Sequence, residues 1–176
     1  KNFVTHSLMN TRLNHLLEEL TQKEKPPYLD AYGGVGSYAR GYDALSLNAG
    51  AGTNDPSIAL TAMMTEVEKA KRFGFTQAEI DRAKKSYLNR TEKLYNDRDK
   101  TQSSSLVGEL VRNFLEHEAM PGIAVEYELT KNIIPNITLE NINAVMYGIR
   151  GDKNKIVYIM GPESGGKKVL PDSAQV

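Results

Sequence analysis

Cysteine is missing altogether from this chain of 176 residues. Disulfides, thiol nucleophiles and thiolate metal sites are therefore excluded, while reducing and oxidising compartments both remain open. Net charge is missing too, since 22 Lys and Arg balance 22 Asp and Glu. Such a chain has no overall field to draw in nucleic acid or an anionic membrane. Its basic residues are scattered, apart from Lys84-Lys85 and Lys167-Lys168. Nucleic-acid binding is disfavoured. No apolar run approaches the roughly 18–20 residues that cross a bilayer, so no membrane span is expected. The opening residues, Lys1-Asn2-Phe3-Val4-Thr5-His6, contain neither an initiator Met nor the apolar stretch of a signal peptide. The chain is expected to be a piece of something longer.

Histidine is scarce, with His6, His15 and His117 the only three. A catalytic zinc site wants three His, Glu or Asp ligands, with a short i, i+3 or i, i+4 pair on a helix. Neither H-E-x-x-H nor H-x-x-E-H occurs. His15 and Glu19 stand four apart, which reads as a surface contact rather than a ligand pair. His117-Glu118 falls at a helix end before Pro121, a favourable place for histidine. Serine chemistry fares no better, because Gly-x-Ser-x-Gly is absent and Ser103-Ser104-Ser105 reads as helix-entry capping. Glu66/Glu68 and Glu116/Glu118 point to different helix faces. Gly161-Pro162-Glu163-Ser164-Gly165-Gly166-Lys167-Lys168 has phosphate-loop spacing. However, Lys168 stands where Ser or Thr must hold magnesium, and Val169-Leu170-Pro171 leaves no room for the helix that should follow. Asn89-Arg90-Thr91 and Asn136-Ile137-Thr138 match the glycosylation pattern, one that arises often by chance. No catalytic, cofactor-binding or metal-binding residue is assigned.

What the sequence does have is punctuation. Phe3, Val4, Leu8, Leu13, Leu16, Leu17 and Leu20 recur at helical spacing and stop before Pro26-Pro27. Leu45, Leu47, Ala49 and Ala51 alternate with polar or small residues, as in a strand; residues 29–39 look like its partner, with Arg40-Gly41-Tyr42-Asp43 turning between them. Tyr28, Tyr32, Tyr38 and Tyr42 cluster here among glycines. They suit a peptide groove, although packing a sheet against helices is the commoner use. Asp55-Pro56 is an N-cap followed by proline at the first helical position. The helix it opens places Ala59, Ala62, Met63, Glu66, Ala70 and Phe73 on one side.

Gly74 ends that helix, Phe75 folds back on its apolar face, and Thr76 with Glu79 forms a capping box for the next. The next helix buries Ile80, Ala83, Tyr87 and Leu94. After the polar break Asn96–Lys100, Thr101–Ser105 caps a helix with Leu106, Val107, Leu110, Val111, Phe114 and Leu115 in a double stripe. Further helices are expected near 123–134 and, capped by Thr138, through Leu139, Ile142, Val145 and Met146. Ile156-Val157-Tyr158-Ile159-Met160 reads as a buried strand. The expected class is α+β, a small antiparallel sheet with about six helices packed on it. Three strands are few for that many helices, so sheet partners are expected upstream of Lys1. Residues 1–162 form the expected domain and 163–176 a loose Gly/Ser/Lys/Pro tail.

The order of these elements resembles the second, non-catalytic domain of a pitrilysin/insulinase-type zinc metallopeptidase, most of all the large bacterial members built from four related domains. The landmarks are Arg12-Leu13 with Leu16-Leu17-Glu18-Glu19, Pro27-Tyr28, Tyr38-Ala39-Arg40, Ala59–Glu66, and Phe73-Gly74-Phe75-Thr76 with Glu79 and Arg82-Ala83-Lys84. They continue through Asn96–Thr101, Val111–Leu115, Pro121-Gly122-Ile123 and Pro135–Leu139. The resemblance implies a wall of a clam-shaped proteolytic chamber, with the other domains of the same peptidase and peptide or unfolded protein as partners. Zinc then belongs to the parent's catalytic domain, whose H-x-x-E-H motif this chain lacks, so no metal or catalytic residue carries over. It leans towards a periplasmic location. The alternative function is an inactive structural homologue or interaction module.

Overall fold

The computed structural model describes residues 2–39, 41–149, 154–161 and 170–171. Its first helix, α1 (Asn2–Thr21), runs through the centre of the molecule. Val4, Leu8, Met9, Leu13 and Leu17 are all buried, on a stripe wide enough to serve two sides at once. Phe3 was expected in the stripe but lies outside it, exposed at the helix start.

On one side of α1 lies a hairpin of β1 (Asp30–Ala39) and β2 (Tyr42–Gly50). The strands pair antiparallel, with Gly33 opposite Leu47 and Val35 opposite Leu45. Ala39 pairs with Tyr42, so the connection is shorter than the four-residue turn expected and strand pairing takes in Tyr42 and Asp43. The alternation expected in β2 is present. Leu45, Leu47 and Ala49 are half-buried towards the helices, while Ser46 and Asn48 face solvent.

On its other side α1 packs against α2 (Pro56–Phe73), α3 (Gln77–Asn96) and α6 (Leu139–Tyr147). Val67, Ala70, Phe75, Ile80, Ala83, Ile137, Ile142 and Met146 join the α1 stripe in the main core. Leu17, Leu20, Tyr28, Ala59 and Met63 form a second cluster under the hairpin. Two further helices, α4 (Ser103–Glu116) and α5 (Ile123–Ile133), complete the α+β domain.

Local signals explain most of the boundaries. The Asp55 carboxylate accepts from the Ser57 N–H at 2.9 Å, with Pro56 at the first helical position. Thr76 and Glu79 form a capping box, and the Thr76 N–H donates to Glu79 Oε2 at 2.7 Å. Thr138 and Asn141 form another at α6. Gly74 stops α2 with φ 67° and ψ −164°, a region that L side chains rarely enter. The corner is locked from a distance: Asn143 of α6 accepts from the Phe75 N–H at 2.8 Å.

Several expectations are corrected. Ile156–Met160 forms no strand, and only Ile159 is even half-buried. A β-prone run becomes a strand only where a neighbour offers ladder partners. Among the described residues none does, and the sheet has two strands rather than three. Phe73 is 80% exposed because the corner at Gly74 turns the chain away before its ring reaches the core, and Val67 holds the core position instead. Leu94 is exposed near the end of α3, beyond the reach of α1. At α4 the cap is Gln102, with no side-chain bond from it or from the Thr101–Ser105 run to the helix end. The tail at 163–176 lies outside the described residues except for Leu170 and Pro171.

Candidate functional site

The three histidines are not brought together. His6 is half-buried on α1, and His15 is exposed on the same helix with Nδ1 3.7 Å from Glu18 Oε2. The contact expected with Glu19 is not made, because Glu19 accepts from Arg12 at 3.1 Å. His117 ends α4 in the left-handed region, with φ 56°. Among the described residues no group of three or more His, Asp or Glu is placed to hold a metal. Glu66 and Glu68 are taken up by Lys69 and Lys71 at 2.7 and 2.8 Å. The phosphate-loop-like run is outside the described residues apart from Gly161.

Carboxylates gather elsewhere. Burial first, then the nearby Glu109 and Glu118, push Glu126 above the usual carboxylate range, against the pull of Arg112. No local spacing announces this grouping, which depends on how α5 returns past α4.

The hairpin is the more informative surface. Tyr28 packs as expected of a core tyrosine: it is fully buried and its hydroxyl donates to the Leu17 carbonyl at 2.8 Å. Burial, with Glu66 adding to it, pushes its phenol up to about 12. Tyr32, Tyr38 and Tyr42 overturn the packing reading, at 57, 72 and 75% exposed. An open groove on the hairpin runs over Asn10, Asn14, Gly34, Gly36 and Ser46, and none of the three tyrosines lines it.

The outer edge of β1 is closed by two asparagines that sequence reasoning missed. The Asn10 carboxamide accepts from the Val35 N–H at 2.8 Å and donates to the Val35 carbonyl at 2.9 Å. Asn14 does the same with Gly33, both bonds at 2.8 Å. The geometry matches because one helical step of four residues rises about 6 Å and one strand step of two spans about 6.8 Å. Two amides at i, i+4 therefore imitate alternate peptides of a neighbouring strand. Gly34 makes the approach possible, since a Cβ there would stand 2.4 Å from Asn10. The legible signal was Asn-x-x-x-Asn beside a glycine-rich strand.

Arg12, on the same helix, is buried and forms an ion pair with Glu79 at the start of α3, while its Nε has no partner among the described residues. Desolvation raises the Glu79 carboxyl, but bonds from Thr76 and Arg12 outweigh it, so the group is held below the usual range. This pair fixes α3 to α1. By contrast α4 is open: no residue of it is buried, and Leu106, Val107, Leu110, Val111, Phe114 and Leu115 are 47–81% exposed. Val125 and Leu129 of α5 are exposed as well. A stripe of that kind is far from a scatter of single exposed residues.

No protein-family model matches the chain. A protein of Arabidopsis thaliana described as a zinc protease PQQL-like is 29% identical over 98 residues, which is 56% of this chain and 10% of that protein. The solved first half of the periplasmic protease PqqL from Escherichia coli superposes with a TM-score of 0.72 at 19% identity, over 82% of this chain and 31% of that one. The longer structure of the same protease gives 0.70 at 18% identity, over 82% and 16%. An insulinase family protease predicted in Yersinia pestis gives 0.67 at 14%, over 82% and 31%. The chain thus spans a tenth of its plant relative and under a third of the solved chains. It shares the fold of these solved PqqL and insulinase-family protease chains, and over 98 residues it is similar in sequence to the plant protein.

Proposed function

We propose that this chain is a non-catalytic domain of a zinc-dependent endopeptidase, where it helps form the proteolytic chamber and hold peptide substrate. The observation that carries the proposal is the open apolar face of α4, on a fold that makes up under a third of each solved relative. In this reading the other domains of the same peptidase cover Leu110, Phe114 and their neighbours. The zinc belongs to one of those domains. The groove along β1, with its polar lining from Asn10, Asn14 and Ser46, supports contact with an extended peptide or unfolded protein. The parent works in the periplasm on this reading, in line with the Escherichia coli proteins; no helix among the described residues is long and apolar enough to cross a membrane.

The test has two arms. The chain alone is expected to bind no stoichiometric zinc and to cleave no fluorogenic peptide; zinc-dependent hydrolysis abolished by a chelator overturns the proposal. In the parent protease, Leu110→Asp with Phe114→Asp is expected to lower hydrolysis at least roughly tenfold by undocking the domain. Full activity in that double variant equally sinks it.

A further inference from the structure

We infer that α4 is a strap seated on α5 by charge, loose while the glutamates between the two helices are all ionised and fastened when Glu126 takes up a proton. The inference is independent of the chamber reading. It starts from which side of α4 faces inward. Leu106, Val107, Leu110, Val111, Phe114 and Leu115 occupy one half of the helix surface, and all are exposed. Glu109, Arg112 and Glu116 fall on the opposite half, at spacings of three and four. That polar half carries the contacts. Arg112 Nε donates to Glu118 Oε2 at 2.8 Å, and beside it the Asn113 amide donates to the Glu118 carbonyl at 2.6 Å. Glu109 and Arg112 both act on Glu126 of α5. The helix lies polar side down.

Such a helix has little else to rest on. No residue of α4 is buried, and it packs extensively against no other element. At 14 residues it is marginal in water by itself. The guanidinium of Arg112 has three carboxylates to serve: it pairs with Glu118, and it pulls on Glu126 against the push of Glu109 and Glu118. From α3 the Tyr87 phenol also faces Glu126. Burial first, and Glu126 with it, raise that phenol, so it stays uncharged at neutral pH. Arg90 lies over the Tyr87 ring at 5.8 Å. Glu126 itself is lifted above the usual carboxylate range by desolvation, then by Glu109 and Glu118. Glu109 belongs to α4 and Glu118 is bonded to it, so both causes leave with the helix. A carboxyl raised only in the seated form favours the seat when protonated. That gain is complete below the ordinary glutamate value near 4.3 and is lost as pH rises through the raised one.

Amide hydrogen exchange in α4, corrected for the intrinsic rate at each pH, reads the seat, because a short helix that leaves it frays. In the unmodified chain, protection at Leu110 and Val111 is expected to rise at least roughly threefold from about pH 7.5 to about pH 5. The Val67 amide, in the core of α2, is expected to keep its protection over that range and serves as the control for the fold as a whole. Glu126→Gln is expected to give the higher α4 protection already at neutral pH and to remove the response. Glu109→Gln should shift α4 the same way at neutral pH, since the repulsion is mutual. Arg112→Ala takes away the one cation of the seat and is expected to lower α4 protection at both pH values. A flat response in the unmodified chain overturns the inference, as does a response that survives Glu126→Gln. So does an α4 indifferent to Arg112→Ala, or an equal change at Val67, which would assign the effect to the whole fold.

Discussion

Replacing Asn10 by alanine removes two hydrogen bonds from one residue of β1, those made with the N–H and C=O of Val35. A typical intramolecular hydrogen bond contributes about 0.5–1.5 kcal/mol net, so the pair is worth about 1–3 kcal/mol. Alanine returns about half a kcal/mol through its better helix propensity. The site is only partly buried, so water takes up some of the freed groups. The expected net loss is about 1–2 kcal/mol, which at a urea slope of about 2 kcal/mol/M moves the midpoint by about 0.5–1 M. Hydrogen exchange gives the local reading: the Val35 amide should lose protection in Asn10→Ala and the Gly33 amide in Asn14→Ala. The double variant should depart from the sum, because both amides hold one strand edge a single helical turn apart. Asn10→Asp sharpens the test. Its carboxylate still accepts from the Val35 N–H but faces the Val35 carbonyl with no proton to give, so protection survives while stability falls. A midpoint shift below about 0.2 M, with Val35 protection unchanged, would refute the view that side chains close this edge.

Three other outcomes are expected. Gly74→Ala places a Cβ 2.6 Å from the Tyr147 hydroxyl at a backbone angle alanine resists; a loss of about 2–3 kcal/mol in thermal unfolding is expected, and a neutral result would mean the corner is not held as described. Burial pushes the Tyr28 phenol up to about 12, above the ordinary tyrosine value of about 10. Its contribution is therefore complete below about pH 10 and lost as pH rises towards 12, a decline that Tyr28→Phe should blunt in alkaline unfolding curves. Glu79, held low, contributes above its unfolded value near 4.3 and loses that contribution as pH falls through its folded value. Glu79→Gln should destabilise by about 2–3 kcal/mol at neutral pH, since Arg12 keeps Glu19, and should flatten the acid limb. An unchanged acid limb would count against the pairing.

Features decided within a few residues were the legible ones. Asp55-Pro56, the Thr76–Glu79 box and the Thr138 cap each act over one turn, so sequence and structure agree on where those helices begin. The alternation of Leu45, Leu47 and Ala49 sufficed for β2. What escaped depends on partners distant in sequence. Phe73 and Leu94 have core composition but are exposed, and Ile156–Met160 has strand composition with no ladder beside it among the described residues. The exposed tyrosines fell to the commoner reading. Asn10 and Asn14 were passed over because polar residues on a helix are normally solvated; only the position of β1 reveals their partners.

The Asn143 clamp on Phe75 has a consequence in time. Its donor and acceptor are 68 residues apart, so the corner between α2 and α3 cannot be locked when it is first synthesised. At a synthesis rate of about 5–20 residues per second, Phe75 waits roughly 3–14 s before Asn143 exists. During that interval Gly74 is free to turn either way, and the phenylalanine that later seals the core is open to other chains. The order of assembly therefore runs from the end backwards, with the last helix setting an angle written in the middle.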